Sequence, residues 1–91
     1  MSRVLIITYD LLTPGKNYEP LLQVLKSFGP WAKLGGSSYL VVTEQDPAVL
    51  RDRLTATIDS NDKLYVGVAP APSAWAGMPN EVSNWILANQ K

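Results

Sequence analysis

Asp10 is the residue whose position most suggests chemistry. It stands directly after RVLIITY (residues 3–9), a run of β-branched and aromatic residues that is apolar on both faces. Such a run reads as a central strand. A carboxylate just past its end sits at the rim of a sheet, where it can point into a crevice. If two copies pack face to face, their Asp10 side chains can approach one another. Paired carboxylates can hold a divalent cation that activates a water for phosphodiester hydrolysis. An aspartate after a strand also commonly starts a turn by accepting bonds from nearby backbone N–H groups. Both uses fit the sequence.

The rest of the inventory narrows the chemistry. The chain has no cysteine and no histidine. This excludes disulfides, thiolate metal sites, cysteine nucleophiles, histidine bases and the Ser-His-Asp triad. Any enzyme here works with carboxylates, hydroxyls, lysine, arginine and a hard, oxygen-loving cation such as Mg²⁺. Gly35-Gly36-Ser37-Ser38 lacks the Lys-Ser/Thr pair and following helix of a phosphate-binding loop, so it reads as a turn. Ser37 and Ser38 can still reach the sheet rim and bind a water or a phosphate oxygen. DSND (residues 59–62) lacks the glycine and the glutamate of a calcium loop and reads as a polar turn. Arg51 and Arg53 with Lys33, Lys26 and Lys63 can form a diffuse basic surface, although Asp52 dilutes it and a solvated face also accounts for them. Trp31, Trp75 and Trp85 can stack on bases, although a core or an interface is their commoner use.

These residues need elements to position them. Residues 11–16 contain the turn signal Pro14-Gly15. Asn17 can cap a helix with Pro20 in its first turn, and Leu21, Leu22, Val24, Leu25 and Phe28 recur at helical spacing. Gly29-Pro30 ends that helix, with glycine in the left-handed cap conformation. Residues 31–34 and 37–43 flank Gly35-Gly36 and predict a hairpin with a primed turn. Asp46-Pro47 supplies a cap and a first-turn proline for a second helix, with Val49, Leu50, Leu54 and Ile58 facing the core. KLYVGV (residues 63–68) is a fourth strand. Residues 69–77 form an Ala/Pro-rich loop, and residues 79–89 a short helix with Val82, Trp85 and Ile86 on one face.

The order is β-α-β-β-α-β plus a helical tail, the order of the ferredoxin-like α+β sandwich. The core spans residues 1–68 and the tail 69–91, within a single domain. Two helices are expected on one face of a four-stranded antiparallel sheet, leaving the other face open for a second copy. The tail then covers an edge strand or packs on a partner.

The 91 residues suit one domain, and 46% hydrophobic with 18% charged residues is a globular composition. Eight basic residues balance eight acidic ones, which weighs against a dedicated nucleic-acid binder. No stretch has the length of a membrane span, and the N-terminal apolar run is too short for a signal peptide, so a cytoplasmic setting is expected.

The strand VLIITYD ending in Tyr9-Asp10, the helix end LKSFG, the strand SSYLVV, the helix segment LRDRL and IDSNDKLYV follow one another in this order. Together they resemble the small CRISPR-associated ferredoxin-like proteins that partner the spacer integrase, and the related virulence-associated protein D ribonuclease toxins. The resemblance runs from residue 3 to about residue 68. It implies a homodimer whose sheets meet across a two-fold axis. It also implies Mg²⁺ bound by Asp10, with Tyr9 its neighbour in the motif, and metal-dependent endonuclease activity on RNA or DNA. Some members of the group are structural adaptors, so a non-catalytic dimeric module with a protein partner is the alternative. The chain departs from the group where Asn17-Tyr18-Glu19-Pro20 opens the first helix without arginine, and where Lys33-Leu34-Gly35-Gly36 precedes the serines.

Overall fold

A computed structural model describes residues 2–12 and 18–91. The elements are β1 (Arg3–Asp10), α1 (Glu19–Ser27), β2 (Trp31–Gly35), β3 (Ser38–Thr43), α2 (Pro47–Thr55), β4 (Lys63–Val68) and α3 (Asn80–Asn89). The architecture is α+β: one antiparallel sheet in the order β2-β3-β1-β4, with three helices. The Pro14-Gly15 turn and the Asn17 cap lie outside the described residues.

Strand alternation sorts the sheet into two faces. Leu5 and Ile7 of β1, Tyr39 and Val41 of β3, and Leu64 and Val66 of β4 share one face. There they meet Leu21 and Leu25 of α1 and Leu50 and Leu54 of α2, whose four side chains are fully enclosed. Their spacing puts each pair on one helix stripe, which is why both helices lie on this side. Val49 was expected in the core but is 43% exposed, because the stripe through Leu50 and Leu54 turns it outward. Arg51, Asp52 and Arg53 are exposed as expected.

The second face is only partly open. α3 lies against it, with Val82, Trp85 and Ile86 packed on Val4, Ile6, Leu40 and Val42, and Trp75 of the preceding loop joins them. Hydrogen bonds pin the tail. The Trp75 Nε1–H donates to Ser83 Oγ at 2.6 Å, Gln90 Nε2 to the Ala69 carbonyl at 2.8 Å, and the Ala71 N–H to the Lys91 carbonyl at 3.0 Å. The tail therefore covers a sheet face and lies along the edge strand β2 as well, its apolar stripe meeting the apolar residues of β1, β2 and β3.

Three local expectations change. Neither Gly35 nor Gly36 has a positive φ, so the hairpin has no primed turn, and a register shift between Lys33 and Gly35 closes it instead. Gly29 follows α1 with the positive φ expected of a glycine there, but at 153° it is far from the left-handed helical value, and a Cβ would stand 2.1 Å from the Val42 carbonyl oxygen. Glycine is needed because β3 passes so close. Asp46 precedes α2 in an extended conformation but makes no side-chain cap bond, because its carboxylate accepts instead from Arg3 Nη2 at 2.6 Å.

Candidate functional site

The helix α3 covers only part of its face. Along β1 that face carries Val4, Ile6, Thr8 and Asp10 in turn. Opposite them on β3 stand Val42, Leu40 and Ser38. On β4, Gly67 faces Ile6, Tyr65 faces Thr8 and Lys63 faces Asp10. All three strands change from apolar or small to polar at the same level of the sheet. The apolar half lies under α3, and the polar half is left uncovered.

The polar half gathers a carboxylate, an ammonium, a phenol and two hydroxyls on ordered backbone. A 210 Å³ cleft is lined by Thr8, Tyr9, Asp10, Lys63, Leu64 and Tyr65. Asp10 is exposed at the end of β1, so its backbone is fixed while its carboxylate faces solvent. Among the described residues this carboxylate accepts no hydrogen bond and has no ion pair within 4.0 Å. It is therefore not the start of an Asp turn. Lys63 is directly opposite in register, which puts the two Cβ atoms about 5 Å apart. Thr8 Oγ1 and Ser38 Oγ share a hydrogen bond at 3.0 Å across β1 and β3.

The other expected site residues go elsewhere. Tyr9 is next to Asp10 in sequence, but alternation sends its side chain to the opposite face, against the α1/α2 core. Burial there, and secondarily the neighbouring Tyr39 hydroxyl, push the Tyr9 phenol above its usual pKa. Ser37 is exposed in the β2–β3 turn, where its carbonyl accepts from the Tyr9 N–H at 3.1 Å. Of the two serines, only Ser38 is aligned with the Asp10 face.

Sequence reasoning did not bring Thr8 or Tyr65 to the site, and took Lys63 only as part of a diffuse basic surface. Thr8, Lys63 and Tyr65 become neighbours of Asp10 only once the strand register is known. Asp62, read from the sequence as part of a polar turn, does more than close that turn. Its carboxylate accepts from the Leu12 N–H at 2.8 Å, the Asp59 N–H at 2.9 Å and the Tyr18 hydroxyl at 3.1 Å. It ties the exit of β1 and the approach to α1 to the turn before Lys63. Polar-turn composition marks such a residue but not its distant partners.

A larger cleft of about 580 Å³ runs between β2 and α3, lined by Trp31, Leu34, Val82 and Trp85 with Lys33 and Glu81. It is mostly apolar and belongs to the packing of α3, away from Asp10.

The polar half offers oxygen donors only, which is the donor chemistry Mg²⁺ prefers. Its one carboxylate is that of Asp10, and among the described residues no three acidic side chains cluster. Mg²⁺ commonly binds through one or two carboxylates, with waters and substrate phosphates completing its shell, so Asp10 fits as a partial ligand set. Among the described residues no helix is long and apolar enough to cross a membrane. The chain matches no family model, no curated protein and no solved structure.

Proposed function

We propose that this chain is a ferredoxin-like relative of the CRISPR-associated and toxin-type nucleases, and a Mg²⁺-dependent endonuclease acting on RNA or DNA through Asp10. The observation that carries this reading is the free Asp10 carboxylate with Lys63 directly opposite it on the uncovered half of the sheet. The strand order β2-β3-β1-β4 is compatible with the ferredoxin-like scaffold.

Each residue has a distinct role. Asp10 would hold the cation through its carboxylate. When bound, Mg²⁺ makes a coordinated water a stronger acid and offsets charge on the phosphate. Lys63 offers its ammonium to a phosphate oxygen. The Thr8–Ser38 bond holds β1 and β3 in register beneath the site. In the reaction, water oxygen forms a bond to phosphorus and gives up one proton to solvent, one bridging P–O bond breaks, and the departing oxygen takes a proton from solvent.

A homodimer is implied by the resemblance and, separately, was expected from an open sheet face. With α3 on the apolar half, the reading is built on one chain. The test is incubation of wild type and Asp10→Ala with single- and double-stranded RNA and DNA, with Mg²⁺ or a chelator. Cation-dependent cleavage by wild type alone supports the proposal, and identical behaviour of the two proteins removes it. A rate that grows with the square of protein concentration moves the site to a pair of copies.

A second reading, a non-catalytic adaptor with a protein partner, is favoured by the balanced charge, eight basic against eight acidic residues. It predicts no turnover with any of the four substrates.

A further inference from the structure

Tyr65 is 64% exposed although it lies in the middle of β4. A large aromatic ring left in water on an ordered strand calls for a reason, because burying it would release apolar surface from solvent. Its setting supplies one. Gly67 is two residues on and therefore on the same face, and it has no side chain to push the ring upright. A Cβ built on Gly67 would stand 2.9 Å from Tyr65 Cε1 and 3.1 Å from its hydroxyl oxygen. The edge and hydroxyl tip of the ring thus reach over the glycine, and most of the side chain stays in solvent. α3 covers the neighbouring half of the face but leaves this ring outside.

Two residues back, Lys63 is exposed on the same face, and among the described residues its ammonium has no carboxylate within 4.0 Å. The cleft therefore presents a flat aromatic ring and an unpaired cation at i, i+2 spacing, about 7 Å along the strand. A nucleotide carries the complementary pair of groups, a flat base and an anionic phosphate.

We infer that Tyr65 and Lys63 form a subsite for one unpaired nucleotide of a single strand, the base stacking on the Tyr65 ring and its phosphate meeting the Lys63 ammonium. This rests on the reading of Asp10 as a residue that acts on nucleic acid, and it specifies the substrate as single-stranded. Bases in a duplex are stacked on one another and offer no free face to an exposed ring, whereas unpaired bases stack on aromatic side chains regardless of sequence. Lys63 lies between Tyr65 and the end of the sheet where Asp10 stands, so the bound phosphate is brought beside the Asp10 carboxylate.

The test measures binding without turnover. Fluorescence anisotropy of labelled twelve-nucleotide RNA and DNA single strands, and of their duplexes, is recorded with Asp10→Asn as the parent protein. Adding Tyr65→Leu is expected to weaken single-strand binding about 5- to 100-fold. Tyr65→Phe, which keeps the ring, should bind within about two-fold of the parent. Gly67→Val, which displaces the ring but keeps the phenol, should reproduce the Tyr65→Leu loss. Lys63→Gln should lower the salt dependence by about 0.7 in log–log slope. Unchanged binding by both Tyr65→Leu and Gly67→Val overturns the subsite, as does preference for the duplexes or failure to bind either single strand. Each of those results leaves the Asp10 reading to be judged separately, by wild-type turnover. If Asp10→Asn cleaves as fast as wild type while Tyr65→Leu still loses affinity, the catalytic reading fails and the subsite stands.

Discussion

Val4, Ile6, Leu40 and Val42 stand on one half of a sheet face, and Thr8, Asp10, Ser38, Lys63 and Tyr65 on the other, yet only the first group has a helix laid over it. The strands and the register are shared. What differs is the side-chain type at successive even positions of β1 and at their partners. Where those positions are apolar, covering them removes hydrocarbon from water, and α3 docks. Where they turn polar, covering would strand an ammonium, a carboxylate and hydroxyls without water, and the helix leaves them exposed. One half contributes stability and the other is available for chemistry.

Substitutions can break or sharpen this contrast. The largest effect is expected at Ile86, which is buried between α3 and the sheet. Ile86→Ala should lower stability by about 2–4 kcal/mol in urea unfolding, since it removes buried methyl groups and leaves a cavity. A loss near zero would mean that α3 does not hold the apolar half. Trp75→Phe keeps most of the ring but removes the donor to Ser83, and should cost about 1 kcal/mol. Thr8→Ala and Ser38→Ala each remove one partner of a half-buried hydroxyl pair, with an expected cost of at most about 1 kcal/mol. Asp10→Asn and Lys63→Gln should fall within about 0.5 kcal/mol of wild type, as exposed residues without partners do. A loss above about 1 kcal/mol for either one would make it a structural residue.

Beneath the site, on the opposite face, Tyr9 gives a pH signature. Its phenol is held above its ordinary value by burial first and Tyr39 second. The folded pKa therefore exceeds the unfolded one. The corresponding stability is complete below about pH 10 and is lost as pH rises through the folded value. Tyr9→Phe should flatten this alkaline decline in a series of urea midpoints measured across it, whereas an unchanged slope would assign the decline to other groups.

The element order was legible because each element carries its own period: the apolar run of β1, the Leu21/Leu25 and Leu50/Leu54 stripes, and Val82/Trp85/Ile86 on the tail. The destination of the tail was not legible, since an amphipathic helix states that it needs an apolar surface but not which one. Gly29 was read as a left-handed cap for a similar reason: its true constraint, the Val42 carbonyl, is distant in sequence. Asp10 could be picked out because it ends a recognisable strand. Its neighbours could not, because Lys63 and Tyr65 reach it only through the β1–β4 register, and Asp62 only through bonds spanning up to 50 positions. Tyr9 shows the opposite error, since adjacency along a strand places two side chains on opposite faces.

The most direct test of the account is the Mg²⁺-dependent cleavage rate of labelled single-stranded RNA and DNA by Asp10→Asn relative to wild type, in proteins with matched urea midpoints. The account predicts a drop of at least about 100-fold with the fold intact. Equal rates from the two proteins, or wild-type cleavage undiminished by a chelator, would contradict it.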